Sequence, residues 1–301
     1  MYDVQREQPR THAGSRAPAA SWPPAPFHPP VAVVKAKEFQ VAPGSKVDLD
    51  DYDPDDTRGH KSADEVAGKL NEKLANIARL QERLYAEGRR ALLIVLQGMD
   101  TAGKDGTIKS VLRDVNPQGD ITTSFKVPSK EELAHDFLWR VEARVPPRGM
   151  IGVFNRSHYE DVVIVRVHEL VPKDVWSRRY DEINDFERRL VESYVTFVKI
   201  FLHISKKEQK ERLEDRLKEE DKHWKFNPDD LKERARWKDY KEAYEDALSR
   251  CSTKWAPWHI VPADKKWYRN FVVADIVEEA LREMDPKFPQ PSFDPAAIKV
   301  E

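Results

Sequence analysis

The sequence has little cysteine, no long apolar run and little net charge. Its single cysteine, Cys251, cannot form an internal disulfide or a zinc site built on several cysteines, and we expect a reducing, cytoplasmic environment. No apolar run approaches the roughly 20 residues of a membrane span, and the N-terminus lacks the apolar segment of a secretory signal. A formal net charge of −2 does not indicate a general nucleic-acid binder. We therefore expect neither a membrane nor a nucleic-acid partner.

Apolar residues are plentiful enough for a sizeable core. They make up 40% of the 301 residues, which suits one large domain or two small ones. Proline is concentrated before residue 45, and the stretch SWPPAPFHPP excludes regular helix or sheet. We interpret residues 1–54 as a proline-rich tail, or an arm over the fold or a partner subunit, followed by an acidic linker. Residues 286–301 look like a second irregular tail, which leaves 55–285 for the folded domain.

Apolar runs and helical patterns alternate along this domain. Continuous apolar runs predict five buried strands, at 91–96, 121–125, 150–154, 200–204 and 258–262. Amphipathic spacing predicts helices between them, at 62–87, 129–140, 174–199, 205–219, 228–249 and 266–284. A capping box begins each of the first two helices, formed by Ser62 with Glu65 and by Ser129 with Glu132. Alternating strands and helices predict an α/β three-layer sandwich around five parallel strands.

The stretch QGMDTAGKDGT, residues 97–107, nearly matches a P-loop. Gly98, Gly103 and Lys104 fall in the expected places, but Asp105 replaces the usual magnesium-binding hydroxyl, and Thr107 lies two positions later. A buried strand precedes this loop and a helix pattern follows it. This context favours backbone N–H groups that cradle phosphate, with the lysine reaching the outer phosphates. A glycine-rich turn with an incidental lysine is the alternative.

Two carboxylates in this loop, Asp100 and Asp105, indicate a cation. A carboxylate beside phosphate is costly unless a metal lies between the charges, so we expect Mg²⁺ at Asp100, with Asp105 helping directly or through water. Mn²⁺ is an alternative ion. Asp105 also has a structural interpretation, since an acid in the first turn of a helix complements the helix dipole.

The second constellation is GVFNRSHYEDVVIVRVH, residues 152–168. It follows the third strand, at the edge of the sheet where α/β proteins bind ligands. Arg156 is suited to gripping phosphoryl oxygens, and Glu160 and Asp161 to holding metal through water or orienting a phosphate. Salt bridging, and capping by Ser157, are the structural alternatives. We also name candidates for binding a nucleotide by stacking or clamping: Phe125, Lys126 and Arg140, with Asp161. For the nearby Trp139, core packing is an equal alternative.

Together these motifs resemble the family-2 polyphosphate kinases. GMDTAGKDG resembles that family's modified P-loop and FNRSHYEDV its second motif, and the likeness continues over residues 55–285 with FKVPSKEELAHDFLWR, FERRL, FLHISKKEQKERLEDR, HWKF, WKDY and STKWAPWHIVPADKKWYRN. The resemblance implies a P-loop kinase-like fold with a helical lid at about 205–230. It also implies Mg²⁺-dependent phosphoryl transfer between inorganic polyphosphate and nucleotides.

The resemblance assigns roles only to the residues that match. Asp100 matches the metal-binding aspartate, Lys104 and Asp105 the loop pair at the phosphates, and Arg156 the second-motif arginine. Phosphate binding is expected of further loop and lid residues: Gly98, Ala102, Gly103, Gly106, Thr107, Arg212 and Arg216. Many family members read FDRSWYN where this chain has Asn155, His158 and Glu160, so Asp100 and Glu160 must carry more of the metal contact.

The NRSHYED version resembles the subgroup that phosphorylates both nucleoside monophosphates and diphosphates. We therefore expect conversion of AMP to ADP and of ADP to ATP, in the direction of nucleotide synthesis, with guanine nucleotides as alternative substrates. The amphipathic helices at 62–87 and 228–249 suggest a homo-oligomer, a dimer or tetramer, or merely cover the sheet. Two other functions remain open: an ATP-dependent nucleoside or nucleotide kinase on the same fold, and a nucleotide-binding switch without turnover.

Overall fold

The protein, described here from a computed structural model covering residues 38–300, is built on one parallel sheet. Its strands are β1 Ala91–Gly98, β2 Asp120–Ser124, β3 Ile151–Asn155, β4 Val195–His203 and β5 Trp258–Pro262. Their spatial order is β2-β3-β1-β4-β5, and every neighbouring pair is parallel. The five predicted strands and their parallel arrangement are therefore confirmed.

Strand β1 lies at the centre of the sheet. All eight of its residues are buried, as its unbroken apolar sequence predicts for a strand covered on both faces. Leu96 pairs with Asn155 of β3, so the carboxyl ends of these two strands lie side by side. The P-loop-like segment after β1 and the second motif after β3 therefore meet at one edge of the sheet.

Eleven helices are present in residues 38–300. They are α1 Ala63–Glu87, α2 Lys104–Val111, α3 Lys130–Leu133, α4 Trp139–Glu142, α5 Ile164–Val167, α6 Lys173–Trp176, α7 Arg179–Glu192, α8 Lys206–Lys218, α9 Asp229–Ala235, α10 Trp237–Cys251 and α11 Lys266–Met284. Helix α11 contacts both α1 and α2, and α7 packs against α10 and β4. The three-layer sandwich is confirmed. No helix in this range is long and apolar enough to cross a membrane.

The two predicted capping boxes have different outcomes. Ser129 and Glu132 form theirs, but it caps only the single turn of α3, and α4 follows as a separate turn rather than as one helix over 129–140. The prediction of a capping box at Ser62 is wrong. The Ser62 side chain makes no capping hydrogen bond, and Glu65 instead accepts from the backbone N–H of Lys61 at 2.9 Å.

Two predicted helices are too long. The pattern over 174–199 runs into β4, because the alternating residues from Val195 onward gain more from pairing with β1 than from one further helical turn. Helix α7 accordingly ends at Glu192. The pattern over 228–249 is interrupted at Arg236, where α9 ends and α10 begins. Periodicity alone does not show such breaks, because the apolar spacing continues across them.

The chain from residue 38 to the first helix is partly built into the fold. Phe39, Val41, Val47 and Leu49 are buried, and the Ile260 N–H donates to the Phe39 carbonyl at 2.8 Å. Most of the predicted tail and arm, residues 1–37, lies outside the described residues. At the other end, residues 287–300 are exposed and contain one short 3₁₀ turn. The domain boundaries at 55 and 285 stay predictions.

Candidate functional site

The loop between β1 and α2 has the backbone of a phosphate cradle. Gly98 and Gly103 have φ values of 150° and 98°, which glycine adopts far more readily than other residues. A Cβ on Gly98 would lie 2.7 Å from the Leu202 carbonyl oxygen, so this position also has no room for a side chain. Thr101 has φ of 65° without being glycine, a strained conformation that is concentrated at functional sites. Helix α2 begins at Lys104, which leaves its first-turn N–H groups available to an anion.

Lys104 is folded back into this loop. Its ammonium donates to the Gly98 carbonyl at 2.9 Å and to the Met99 carbonyl at 3.4 Å. Burial, together with the nearby Arg156, lowers the pKa of Lys104 from 10.5 to about 8, although neighbouring acids partly counter this. A buried lysine with so few anionic contacts is suited to receiving an anionic ligand.

Arg156 connects the two motifs. Its guanidinium donates to Asp100 at 2.7 Å and to Glu160 at 3.3 Å. Burial alone would lower the pKa of Arg156, but Glu160 and Asp100 outweigh it and raise the pKa above its usual value. Asp105 accepts from the Asn155 amide at 2.6 Å. The structure thus brings together all five residues predicted to be catalytic.

The backbone of Arg156 is held in an unusual conformation. Its φ is 63°, a left-handed value that costs a non-glycine residue about 1–3 kcal/mol. Its N–H donates to the Leu96 carbonyl at 3.1 Å, and the Ser157 hydroxyl accepts from the Tyr159 N–H at 3.3 Å. Capping by Ser157, one of the structural alternatives, is therefore present. It starts the 3₁₀ turn His158–Asp161, which carries Glu160 towards Arg156.

A buried polar network supports this turn from behind. Lys199 on β4 donates to Glu187 on α7 at 2.6 Å and to the Tyr159 hydroxyl at 2.8 Å. Tyr159 in turn donates to Glu187 at 2.8 Å, and His158 lies 3.3 Å from the same carboxylate. Burial lowers the pKa of His158, so it serves as a neutral core residue. Sequence reasoning missed Lys199 and Glu187, because it placed both on one amphipathic helix over 174–199, where charged residues are expected on the solvated face.

The acids do not form a complete protein cage for a metal. Among residues 38–300, no group of three or more His, Cys, Asp or Glu side chains is arranged to hold an ion. Mg²⁺ is commonly bound by one or two carboxylates, with waters and substrate phosphates as the remaining ligands. Asp100, Asp105 and Glu160 around the loop lysine supply that kind of donor set.

A cleft of about 1000 Å³ opens in front of the loop. One part of its wall is basic, with Lys104, Arg156, Arg212, Arg216, Lys222, Lys225 and Lys266. Another part is apolar, with Val127, Pro128, Leu133, Leu170 and Val171. Val127 and Leu133 are 91% and 70% exposed, so their side chains are accessible to a ligand in the cleft. A smaller cavity of about 330 Å³ adjoins it at Asp100, Arg156 and Glu160 and has aromatic walls, Trp237, Tyr240 and Tyr244.

Most other loop and lid residues of the prediction lie around this cleft. Gly103, Gly106 and Lys104 line it, while Thr107 is buried and its hydroxyl donates to the Gly103 carbonyl at 3.1 Å. Ala102, within the loop, is fully buried. Arg216 lines the cleft from α8 and pairs with Asp230 at 3.3 Å.

Arg212 is placed differently from the expectation. All three of its guanidinium nitrogens bond protein oxygens, at Glu208, at the Thr101 and Ala102 carbonyls, and at the Ala263 and Asp264 carbonyls. Arg212 therefore supports the loop from below, although it also borders the cleft.

The four residues predicted to bind nucleotide all line the cleft. Phe125 is buried and packs edge-on against Phe154, with the Arg140 guanidinium 5.3 Å from its ring centre. Arg140 also donates to the Lys126 carbonyl at 3.0 Å. Burial raises the pKa of Asp161 to about 6 despite its ion pair with Arg179. Trp139 is 41% exposed, so core packing was the wrong alternative for it.

Sequence reasoning also missed Arg269 on α11. Its Nη1 donates to the Ala102 carbonyl at 3.2 Å, beside the contacts of Arg212. It lies in WYRN, part of a stretch that carries the family resemblance, but nothing in its local spacing relates it to a loop more than 160 positions earlier.

Comparisons with known proteins agree on one family. The sequence model described as polyphosphate kinase 2 matches residues 60–289. The chain is 48% identical to an AMP/ADP-polyphosphate phosphotransferase of Meiothermus ruber, over 88% of this chain and 100% of that protein. It is 42% identical to an ADP-polyphosphate phosphotransferase of Rhodopseudomonas palustris, over 85% of this chain and 93% of the relative. A crystal structure of polyphosphate kinase 2 from Arthrobacter aurescens TC1 superimposes with a TM-score of 0.84 at 46% identity, over 88% of this chain and 95% of that one.

Proposed function

The chain belongs to the polyphosphate kinase 2 family, and on that basis we propose that it transfers phosphoryl groups between inorganic polyphosphate and AMP or ADP. The observation that carries the proposal is the meeting of Lys104 and Arg156 at the head of a basic cleft. Phosphoryl transfer needs positioning and charge neutralisation more than covalent help, and these two cations supply both.

Polyphosphate occupies the basic part of the cleft in this proposal. Its chain carries about one negative charge per phosphate, so a binding path needs repeated cations. Arg216, Lys222, Lys225 and Lys266 line that part, and the first three belong to the segment predicted as the lid. The protein as a whole is slightly acidic, so this local concentration of positive charge has functional meaning.

The two central cations exchange partners when the substrate binds. In the structure Lys104 bonds to loop carbonyls and Arg156 to the carboxylates of Asp100 and Glu160. Phosphoryl oxygens compete for both groups, because they accept charge-assisted hydrogen bonds from ammonium and guanidinium. The loop N–H groups and the start of α2 complete the cradle around the transferring phosphate.

Magnesium fits this site with the help of the substrate. Asp100, with Asp105 and Glu160, would hold it, since these acids lie around the loop and Asn155 offers only a neutral oxygen. When bound, the ion would neutralise charge on the phosphates and help orient them.

The nucleotide lies across the apolar part of the cleft. Exposed apolar side chains there, including Val127 and Leu133, offer a surface for a nucleobase, and Phe125, Lys126, Arg140 and Asp161 lie alongside. This surface offers few hydrogen-bonding groups specific to one base, which is compatible with guanine as well as adenine nucleotides. The second motif NRSHYED supports both mono- and diphosphates as acceptors.

The activity is tested with purified protein, Mg²⁺, long-chain polyphosphate and either AMP or ADP, with nucleotide products followed by chromatography. We expect ATP from ADP and ADP from AMP. Lys104→Ala and Arg156→Ala should each lower kcat/KM by at least about a hundredfold, because each removes a cation from the transferring group. Lys109→Ala, an exposed position on the same helix α2, is the matched control and should retain activity. Turnover from ATP but none from polyphosphate would instead indicate an ordinary kinase.

A further inference from the structure

Two buried arginines lie under the phosphate loop and hold the same stretch of its backbone. Arg212 donates to the Thr101 and Ala102 carbonyls at 2.9 and 3.1 Å, and Arg269 donates to the Ala102 carbonyl at 3.2 Å. Carbonyls bound from below are turned away from the cleft. In a P-loop this orientation directs the intervening N–H groups towards the ligand.

Arg269 is packed directly behind a loop glycine. A Cβ on Gly103 would lie 2.0 Å from Nη1 of Arg269, and a Cβ on Gly106 would lie 3.5 Å from its Nη2. Gly103 is therefore constrained twice, by its φ of 98° and by the guanidinium behind it. Arg269 is only 3% exposed and is not among the residues that line the cleft, so it approaches a bound phosphate through the loop rather than touching it.

The charge of Arg269 has no anionic partner in the described part of the chain. Its hydrogen bonds go to the Ala102 carbonyl and to the Asn270 amide oxygen, both neutral. Arg212, in contrast, is paired with Glu208 at 2.7 Å. Burial, with Arg212 nearby, lowers the pKa of Arg269 to about 10, which still leaves it charged at neutral pH. An unpaired buried cation destabilises the free protein, and a polyanion on the other side of the loop would offset this.

We propose that Arg269 is a positioning residue for the phosphate loop, which holds the Ala102 carbonyl and places a fixed positive charge behind Gly103 that strengthens binding of the phosphate chain. This inference rests on the proposed function, because the ligand it serves is polyphosphate. Arg212 contributes to the same support, but its charge is already balanced by Glu208.

The test compares two substitutions that leave a hydrogen-bond donor below the loop. Arg269→Gln is neutral and Arg269→Lys keeps the charge. Arg282→Met, on the solvent side of the same helix α11, is the control. For each protein we would measure the melting temperature alone and with tripolyphosphate, and then KM for polyphosphate and kcat at saturating ADP.

For Arg269→Gln we expect a melting temperature without ligand no lower than that of the wild type. The rise in melting temperature caused by tripolyphosphate should fall to less than half of the wild-type rise. KM for polyphosphate should increase about tenfold, as expected for the loss of one charge a few ångströms behind the ligand. Arg269→Lys should restore most of the tripolyphosphate shift and most of the wild-type KM, and Arg282→Met should match the wild type in these two measurements.

Three outcomes would overturn the inference. An unchanged KM and an unchanged tripolyphosphate shift in Arg269→Gln would show that the residue has only a structural role, whatever its melting temperature. A lowered melting temperature with unchanged KM would show the same, even if the tripolyphosphate shift were smaller. Equal losses in the glutamine and lysine variants would exclude the charge as the cause. A wild-type protein with neither a tripolyphosphate shift nor turnover of polyphosphate would instead contradict the proposed function itself.

Discussion

Lys104 combines burial with a function that requires charge. The hydrogen bonds to two loop carbonyls hold its ammonium in place, but burial lowers its pKa to about 8. In the free protein the charged form therefore destabilises the fold at pH values below about 8, and this cost declines as the pH rises towards the unfolded value of 10.5. A bound polyanion has the opposite effect and raises the pKa of Lys104, because it favours the protonated lysine.

The coupling between protonation of Lys104 and binding of an anion predicts that phosphate binding depends on pH. Between about pH 8 and 9.5 the free lysine loses its proton, so the dissociation constant for tripolyphosphate should rise, by a factor approaching tenfold per pH unit. Titration calorimetry over this range measures it. Lys104→Gln should bind more weakly throughout and without the slope; the same slope in that variant would assign the titration to another group.

At the scale of elements, the second motif depends on a network that joins three of them. The turn after β3 contributes Tyr159, α7 contributes Glu187 and β4 contributes Lys199, and all three side chains are fully buried. Burial would raise the pKa of Glu187, but Lys199 and His158 outweigh it and keep the pKa lowered, so Glu187 stays ionised. The network holds in place the turn that presents Arg156 and Glu160.

Breaking this pair should destabilise the protein strongly. Lys199→Met leaves Glu187 buried without its cation, which we expect to lower the free energy of unfolding by about 3–5 kcal/mol. Urea denaturation measures the change. The double variant Lys199→Met/Glu187→Gln should recover much of the loss, because no charge is then left buried. Lys207→Met, whose side chain is 86% exposed, is the control, and a similar small effect at both positions would argue against the network.

At the scale of the whole molecule, the central position of β1 decides where the chemistry lies. Its neighbours β3 and β4 bring the second motif to one side of the phosphate loop and α8 to the other. The segment from Phe39 to Leu49 adds buried side chains beyond the edge strand β5, so it contributes to the core.

Two N-terminal deletions should therefore behave differently. Removal of residues 1–37 should leave the melting temperature and the activity close to those of the full chain. Removal of residues 1–50 also removes Phe39, Val41, Val47 and Leu49, and we expect a loss of unfolding free energy on the order of 5 kcal/mol. Thermal unfolding compares the two. Light scattering on the shorter deletion also tests whether the proline-rich segment joins subunits; an unchanged mass would argue against that.

Much of the fold follows from local patterns. Five apolar runs, glycines at defined positions and amphipathic spacing predicted the strands, the layers and the phosphate loop, because burial and backbone sterics act on neighbouring residues. Boundaries were less accurate where patterns overlap, as at Val195, where pairing with β1 overrides helical spacing. The capping box at Ser62 shows the same limitation, since its residues are right but Glu65 bonds elsewhere.

By itself, the sequence determined the family, the parallel α/β fold and the residues at the head of the cleft, since each of these depends on short motifs or on periodic burial. Only the tertiary structure decided which cations face the cleft and which support the phosphate loop from the side away from the cleft. Arg212 and Arg269 lie far from the loop in sequence and reach it because β4 is placed beside β1 and β5 beside β4. The same holds for the pairing of Lys199 with Glu187. Contacts of this kind depend on the order of the strands and on the burial of charge, which no local spacing records.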